Sequence, residues 1–166
     1  MFTYPNPVND DVGRVVATGG VIMSVAAIAF DQPWILIPLV YGFWARVLCG
    51  PRFSPLALVA SRVIVPWIGR APKPVPGPPK RFAQGIGVVF STTALVLAFG
   101  FGLHTAAWVV LGLLVCAATL EAAFGICLGC KAFAVLMRAG VIPESVCEEC
   151  ADISRRHPQL TDSATG

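Results

Sequence analysis

The chain reads as an all-α membrane protein: four transmembrane helices in two hairpins, a short interfacial helix between the hairpins, and a cytoplasmic, cysteine-containing helical tail. Three observations carry that expectation. Apolar stretches recur at residues 12–29, 34–48, 82–101 and 106–128, in a chain that is 56% hydrophobic and 13% charged with mean hydropathy +0.75. The two tight connections, around 31–33 and 102–105, contain no Lys or Arg. Every basic residue (Arg14, Arg46, Arg52, Arg62, Arg70, Lys73, Lys80, Arg81, Lys131, Arg138, Arg155 and Arg156) flanks the other helix ends. Lys and Arg are retained on the cytoplasmic side, so the pattern sets orientation as well as span number and puts both termini on the cytoplasmic side of the plasma (inner) membrane.

The helix count follows from length. At about 1.5 Å per residue, roughly 20 apolar residues cross about 30 Å of hydrocarbon. The third and fourth stretches meet this requirement. The second is short and needs a thinned bilayer or an extension through Arg46 to Cys49. A soluble domain burying four such helices on every face would require a much longer chain around them. The net charge of +3 is accounted for by a membrane face and asks for no nucleic acid.

Taken in order, Pro5, Asn6, Pro7 and Asn9 make an irregular polar lead-in. The first residues carry two acids and no early basic run of the signal-peptide kind, so the first helix is expected to stay. Trp34, beside the Asp31-Gln32-Pro33 turn, suits an interfacial aromatic belt. Gly50 and Pro51 stop the second helix. Ser54 is then an expected N-cap with Pro55 in the first helical position. The segment 54–70 is too short and too interrupted by Arg62 and Pro66 to span, and is expected to lie on the inner leaflet with Arg62 and Arg70 reaching headgroups. Residues 70–81, with five prolines, read as a stiff polyproline-like linker. Gly20-xxx-Ser24 and Ala118-xxx-Ala122 offer small faces for close helix contact. The tail, 129–166, is expected to hold a short helix over 131–138, a stop at Gly140 and a second helix from 143.

The chemistry lies in the thiols. Cys127-x2-Cys130 and Cys147-x2-Cys150 both fall on the cytoplasmic side, where a permanent disulfide is disfavoured. Such pairs attack and resolve disulfides or sulfane sulfur, or together bind one tetrahedral metal ion. The spacing fits zinc. If the two tail helices fold back antiparallel, however, the pairs stand about 10 Å or more apart unless Gly125 and Gly129 break the helix. Both uses stay open, and zinc is the one cofactor the spacing admits. Cys127 and Cys130 are the favoured centre, because their glycine neighbours allow a partner to approach closely. Lys131 beside them favours thiolate. Glu148 and Glu149 disfavour it at the second pair, although Ser145-x-x-Glu148 resembles a capping box that would favour it. Glu121, inside the fourth stretch, needs a partner or a task, and Arg46 or another inward basic residue would supply one. Cys49 has an electropositive setting, and Cys116 reads as a small packing residue. His104 sits opposite the thiols, and His157 lies in a polar tail. No phosphate loop, Ser-His-Asp set or carboxylate cluster is present.

The run 50–55 (GPRFSP), 73–84 (KPVPGPPKRFAQ), Leu120-Glu121 through Cys127-Leu-Gly-Cys130-Lys131, and 142–147 (IPESVC) together resemble a bacterial membrane family described as a domain of unknown function, DUF4395. The resemblance covers roughly 5–153. It implies a small actinobacterial-type inner-membrane protein found in genomic company with thioredoxin-like proteins and sulfurtransferases. It transfers no catalytic residues.

Three functions follow. The leading one is a membrane thiol protein that exchanges electrons or sulfane sulfur with a soluble cytoplasmic partner, thioredoxin-like or sulfurtransferase. Cys127 or Cys130 attacks, the neighbour resolves, and Glu121 and Lys131 assist. The rivals are a non-catalytic module with a zinc site on Cys127, Cys130, Cys147 and Cys150, and a small sulfur-compound transporter. Whether the chain is an enzyme is left open by the residues.

Overall fold

The computed structural model describes residues 8–75 and 77–143. The expected second tail helix, with Cys147 and Cys150, lies outside the described residues. Four long helices form two hairpins: α1 (Asp10–Ala29) with α2 (Leu36–Cys49), and α5 (Gly77–Phe99) with α6 (His104–Phe124). α1 packs on α6, α6 on α5 and α5 on α2, while α1 and α2 touch more lightly. Three of them, α1, α5 and α6, are long and apolar enough to cross a membrane; the segment Pro33–Cys49 is apolar but shorter. In their most apolar windows only 22%, 28% and 17% of residues are buried inside the protein, so most of this apolar surface requires a non-aqueous solvent. These helices mark a membrane protein.

Local chemistry explains where the elements begin and end. The Asn9 side chain caps α1, accepting the Asp11 amide at 3.1 Å, and Asp10 and Asp11 fill the dipole-favoured first turn. Ser54 caps the next helix as expected, its hydroxyl 3.5 Å from the Ala57 amide, with Pro55 in the first position. That helix is composite: α3 (Pro55–Val59), a π turn (Ala60–Ile64) and α4 (Val65–Ile68). The wide turn falls where Pro66, which lacks an N–H, deprives Arg62 of its α-helical partner. Leu56 packs over Gly19 of α1, while Ala57 and Ala60 bury against Val16. Arg62 and Arg70 are exposed.

Two boundaries differ from the sequence reading. The segment 70–81 is not a free spacer throughout: Val8–Asn9 (β1) pairs antiparallel with Pro74–Val75 (β2), and the Asp10 amide donates to the Lys73 carbonyl at 2.9 Å. α5 starts at Gly77 and not at Phe82, because Pro78 and Pro79 sit in its first turn, where no intrahelical N–H is needed. The fourth apolar stretch does not run helically to Leu128. α6 ends at Phe124, since Gly125 adopts φ +68°, and the Gly125 and Ile126 amides return to the carbonyls of Glu121 and Leu120. A short helix, α7 (Leu128–Arg138), then folds back onto α5. Gly140 follows it at φ +76°, as the sequence predicts.

The apolar core gathers toward the turn end of the bundle. Ala27, Ala94, Ala98 and Ala107 let the backbones approach around Leu36, Leu39 and Leu111. Gly20 and Ser24 are buried on α1.

Candidate functional site

At the opposite end the starts of α1 and α5 meet the ends of α2 and α6, and Asp11, Arg46, Ser54 and Lys80 are buried there. Lys80 in the first turn of α5 is only 4% exposed. Its ammonium lies 2.8 Å from Glu121 Oε1 and 3.0 Å from Asp10 Oδ1, joining three helices through one cation. Gly13 makes room for it: a Cβ there would stand 2.5 Å from Nζ. Glu121 therefore has the basic partner the sequence demanded, and that partner is Lys80. Arg46, also buried, donates through Nε to Gln84 Oε1 at 2.9 Å, reaches Ser54 Oγ at 3.5 Å and lies 4.5 Å from the centre of the Phe43 ring. Two further arginines cover orphan carbonyls at helix ends. Arg14 donates to Ala122 and Ala123 at the end of α6, and Arg81 donates to Val47 near the end of α2.

The glycine break after α6 sets the thiols. Cys127 is extended (φ −82°, ψ 103°) and forms the N-cap of α7, its sulfur accepting the Cys130 backbone N–H at 3.3 Å. Cys130 follows within the first turn. The pair is thus not two residues along one continuous helix, as a helical 106–128 stretch would have made it; one cysteine caps and the other lies just inside. Gly129 between them is helical and buried, and its work is close packing: a Cβ would come 2.5 Å from the Ala83 Cα and Cβ. Phe133, one turn on, packs against Phe82 at 5.6 Å.

This geometry separates the two thiols chemically. Cys127 is held below the ordinary thiol range, first by the hydrogen bond from the Cys130 thiol, with help from the Cys130 amide and the Lys80 charge and against burial and Glu121. Cys130 is pushed up, first because its proton serves Cys127 and then by burial. The arrangement favours ionisation at Cys127 over Cys130.

A cavity of about 370 Å³ opens from this point into the bundle, bordered by Cys127, Glu121, Arg46 and Gln84 at one end and by Phe90 and Leu113 at the other. The structure so brings together Cys127, Cys130 and Glu121. It leaves Lys131 exposed, and the lysine whose charge bears on the thiols is Lys80. Cys49 is half-buried, and Cys116 is exposed on α6 instead of packed inside. His104 stands at the turn end beside Trp108, with ring centres 6.3 Å apart. No three potential metal ligands cluster among the described residues.

Lys80, Asp10 and Gln84 were missed by sequence reasoning. A signal for two of them exists: Lys80, Gln84, Gly87, Ser91, Ala94 and Ala98 form a polar-and-small stripe at helical spacing, and five of the six are buried.

The sequence profile of a family described as a domain of unknown function (DUF4395) matches residues 8–138, from the first strand through α7. No curated protein and no solved structure matches the chain.

Proposed function

The chain belongs to the DUF4395 family, and from the geometry of its dithiol we propose that it is an integral membrane thiol protein exchanging electrons or sulfane sulfur with a soluble cytoplasmic partner. One observation carries the reading: Cys127 caps a helix N-terminus, accepts the Cys130 amide, and has Cys130 as its thiol neighbour. In electron transfer the Cys127 thiolate attacks a partner disulfide, forming a mixed disulfide and expelling one partner thiolate. Cys130, once deprotonated, attacks Cys127 Sγ. A disulfide forms in this chain and the second partner thiolate leaves, so two electrons pass to the partner. In sulfur transfer the same thiolate takes the terminal sulfur of a partner persulfide, and the partner departs as thiolate. Glu121, which shares a cavity with Cys127, receives the Cys130 proton, and Lys80 fixes its position.

The membrane placement belongs to the same proposal. The four long helices span the plasma (inner) membrane, α2 with local thinning or snorkelling, and both termini are cytoplasmic. Support comes from Arg14, Arg46, Lys80 and Arg81 meeting at the thiol end, while the turn end carries neither Lys nor Arg among the described residues. The segment 54–70 lies along the inner leaflet. Thioredoxin-like and sulfurtransferase proteins are the partners to try first.

The test is anaerobic thiol titration and metal analysis of the purified protein, followed by exchange assays on single cysteine variants. Cys127→Ser is expected to lose exchange, and Cys130→Ser to accumulate a mixed disulfide with the partner. Wild-type exchange by both variants refutes the assignment. Stoichiometric zinc that is lost with Cys147→Ser would establish the metal module instead.

A further inference from the structure

Exchange with a soluble partner leaves the cavity inside the bundle unused. It begins at Cys127 and Glu121 and ends near Leu113, a distance along α6 of eight residues, or about 12 Å at about 1.5 Å per residue. Its volume, about 370 Å³, falls in the range of small-molecule sites. Two of its lining residues, Leu113 and Leu128, are 57% and 45% exposed, so apolar side chains of the bundle's outer surface border it at both ends. A molecule entering there arrives by way of the lipid.

We propose that the cavity binds the ring of a lipid-soluble quinone, which oxidises the Cys127–Cys130 dithiol; the inference rests on the thiol reading above, with the exchange run in reverse so that a partner dithiol re-reduces the disulfide. Three features select this ligand class. The walls are apolar, while the hydrogen-bonded pair Arg46 and Gln84 makes the thiol end polar, a lining suited to a neutral ring that carries carbonyl oxygens. A bare acyl chain would lay hydrocarbon against those polar groups, and an anionic headgroup would meet the Glu121 carboxylate. A CxxC dithiol releases two electrons and two protons, which is what a quinone takes up.

The step balances. The Cys127 thiolate adds to a ring carbon, and Cys130 gives its proton to Glu121 and attacks Cys127 Sγ. The sulfur–carbon bond breaks with its electron pair left on the ring. The ring takes the Cys130 proton from Glu121 and a second from water, equal to the one Cys127 released on ionising. Dithiol and quinone become disulfide and quinol.

The experiment uses the full chain in lipid nanodiscs, reduced and kept anaerobic, with duroquinone, whose ring has no free position for arylation. One quinone reduced for every two thiols lost is the expected result. Ala117→Phe, which fills the middle of the cavity, should slow quinone reduction about tenfold or more, while reaction with the soluble disulfide dithiodipyridine stays within about twofold of wild type. Ala118→Leu repeats the test with a smaller intrusion, should the phenylalanine variant fail to fold. Wild-type protein that reacts with dithiodipyridine but reduces no duroquinone overturns the quinone site and spares the dithiol. Undiminished quinone reduction in the filled variants also overturns it. Reaction with neither reagent brings down the dithiol reading and this inference with it.

Discussion

The two ends of the bundle solve the same problem, reversing the chain twice, with opposite chemistry. At the turn end, 26–36 and 96–107, the reversals are local. The Gln32 amide returns to Ala27, Leu103 returns to Leu97, and Asp31 and Gly102 take left-handed backbone at φ 49° and 65°. The ties between hairpins there are exposed: Trp34 meets Phe99 edge-on at 5.3 Å, and Trp108 donates to Asp31 at 2.9 Å. At the thiol end one tie is buried and ionic, Lys80 with Asp10 and Glu121, and Arg14 and Arg81 add charge-assisted bonds to backbone carbonyls of the other hairpin nearer the surface. A turn closes wherever its own backbone permits. A buried charge is tolerated only with its partners, so the thiol end fixes which helices meet.

The largest effect expected is chemical. Cys127→Ser should abolish thiol exchange while the protein remains folded, since the change is nearly isosteric. In wild type, alkylation of Cys127 follows its thiolate, which rises as pH passes its pKa. That pKa is lowered, first by the Cys130 thiol, so the alkylation midpoint should lie below that of an unperturbed thiol. Cys130→Ala removes that donor and should move the midpoint to higher pH. A midpoint unchanged or lower in Cys130→Ala would mean that Cys130 does not support the Cys127 thiolate.

The next effect is on stability. Lys80→Met leaves Asp10 and Glu121 without their shared cation, and removing one member of a buried ion network costs about 3–5 kcal/mol. Trp108→Phe, at the turn end, gives up one exposed hydrogen bond worth about 0.5–1.5 kcal/mol. Unfolding of both variants in detergent micelles measures the contrast. Equal losses would erase the distinction between the ends.

What the sequence made legible follows the same division. Both turns, the Ser54 cap, the helix over 131–138 and its Gly140 stop were readable, because each rests on a few neighbouring residues. Glu121 announced a need for a partner, but naming Lys80 requires knowing that the start of α5 lies beside the end of α6. Of the two glycines the sequence offers as helix breakers, Gly125 does break the helix and Gly129 does not, a choice hydropathy leaves open because the apolar run continues through Ile126 and Leu128. Lys131 was selected by adjacency along the chain. In the fold it faces outward, and Lys80, far away in sequence, supplies the charge near the thiols.

A smaller effect should come from Gly129→Val. The added carbons would meet Ala83 backbone at 2.5 Å, and overpacking of this kind costs about 1–3 kcal/mol. Because the contact is between α5 and α7, the strain should lift α7. Limited proteolysis near 128–138 should quicken, and the Cys127 alkylation midpoint should shift upward as its cap loosens. A stable variant with unchanged alkylation would show that α7 is not seated by this contact.

The smallest effect belongs to the turn end. Gly102→Ala places a Cβ where nothing lies within 4 Å, so only the left-handed backbone at φ +65° resists it. That strain is about 1–2 kcal/mol, partly offset by about 0.4–1 kcal/mol from a less flexible unfolded chain. A net loss of about 1 kcal/mol is expected in detergent unfolding. Cys127 alkylation should not change, because distant sites without shared partners act independently. A shifted midpoint in Gly102→Ala would mean that strain travels the length of the bundle, and that the two ends are one coupled system in spite of their different chemistry.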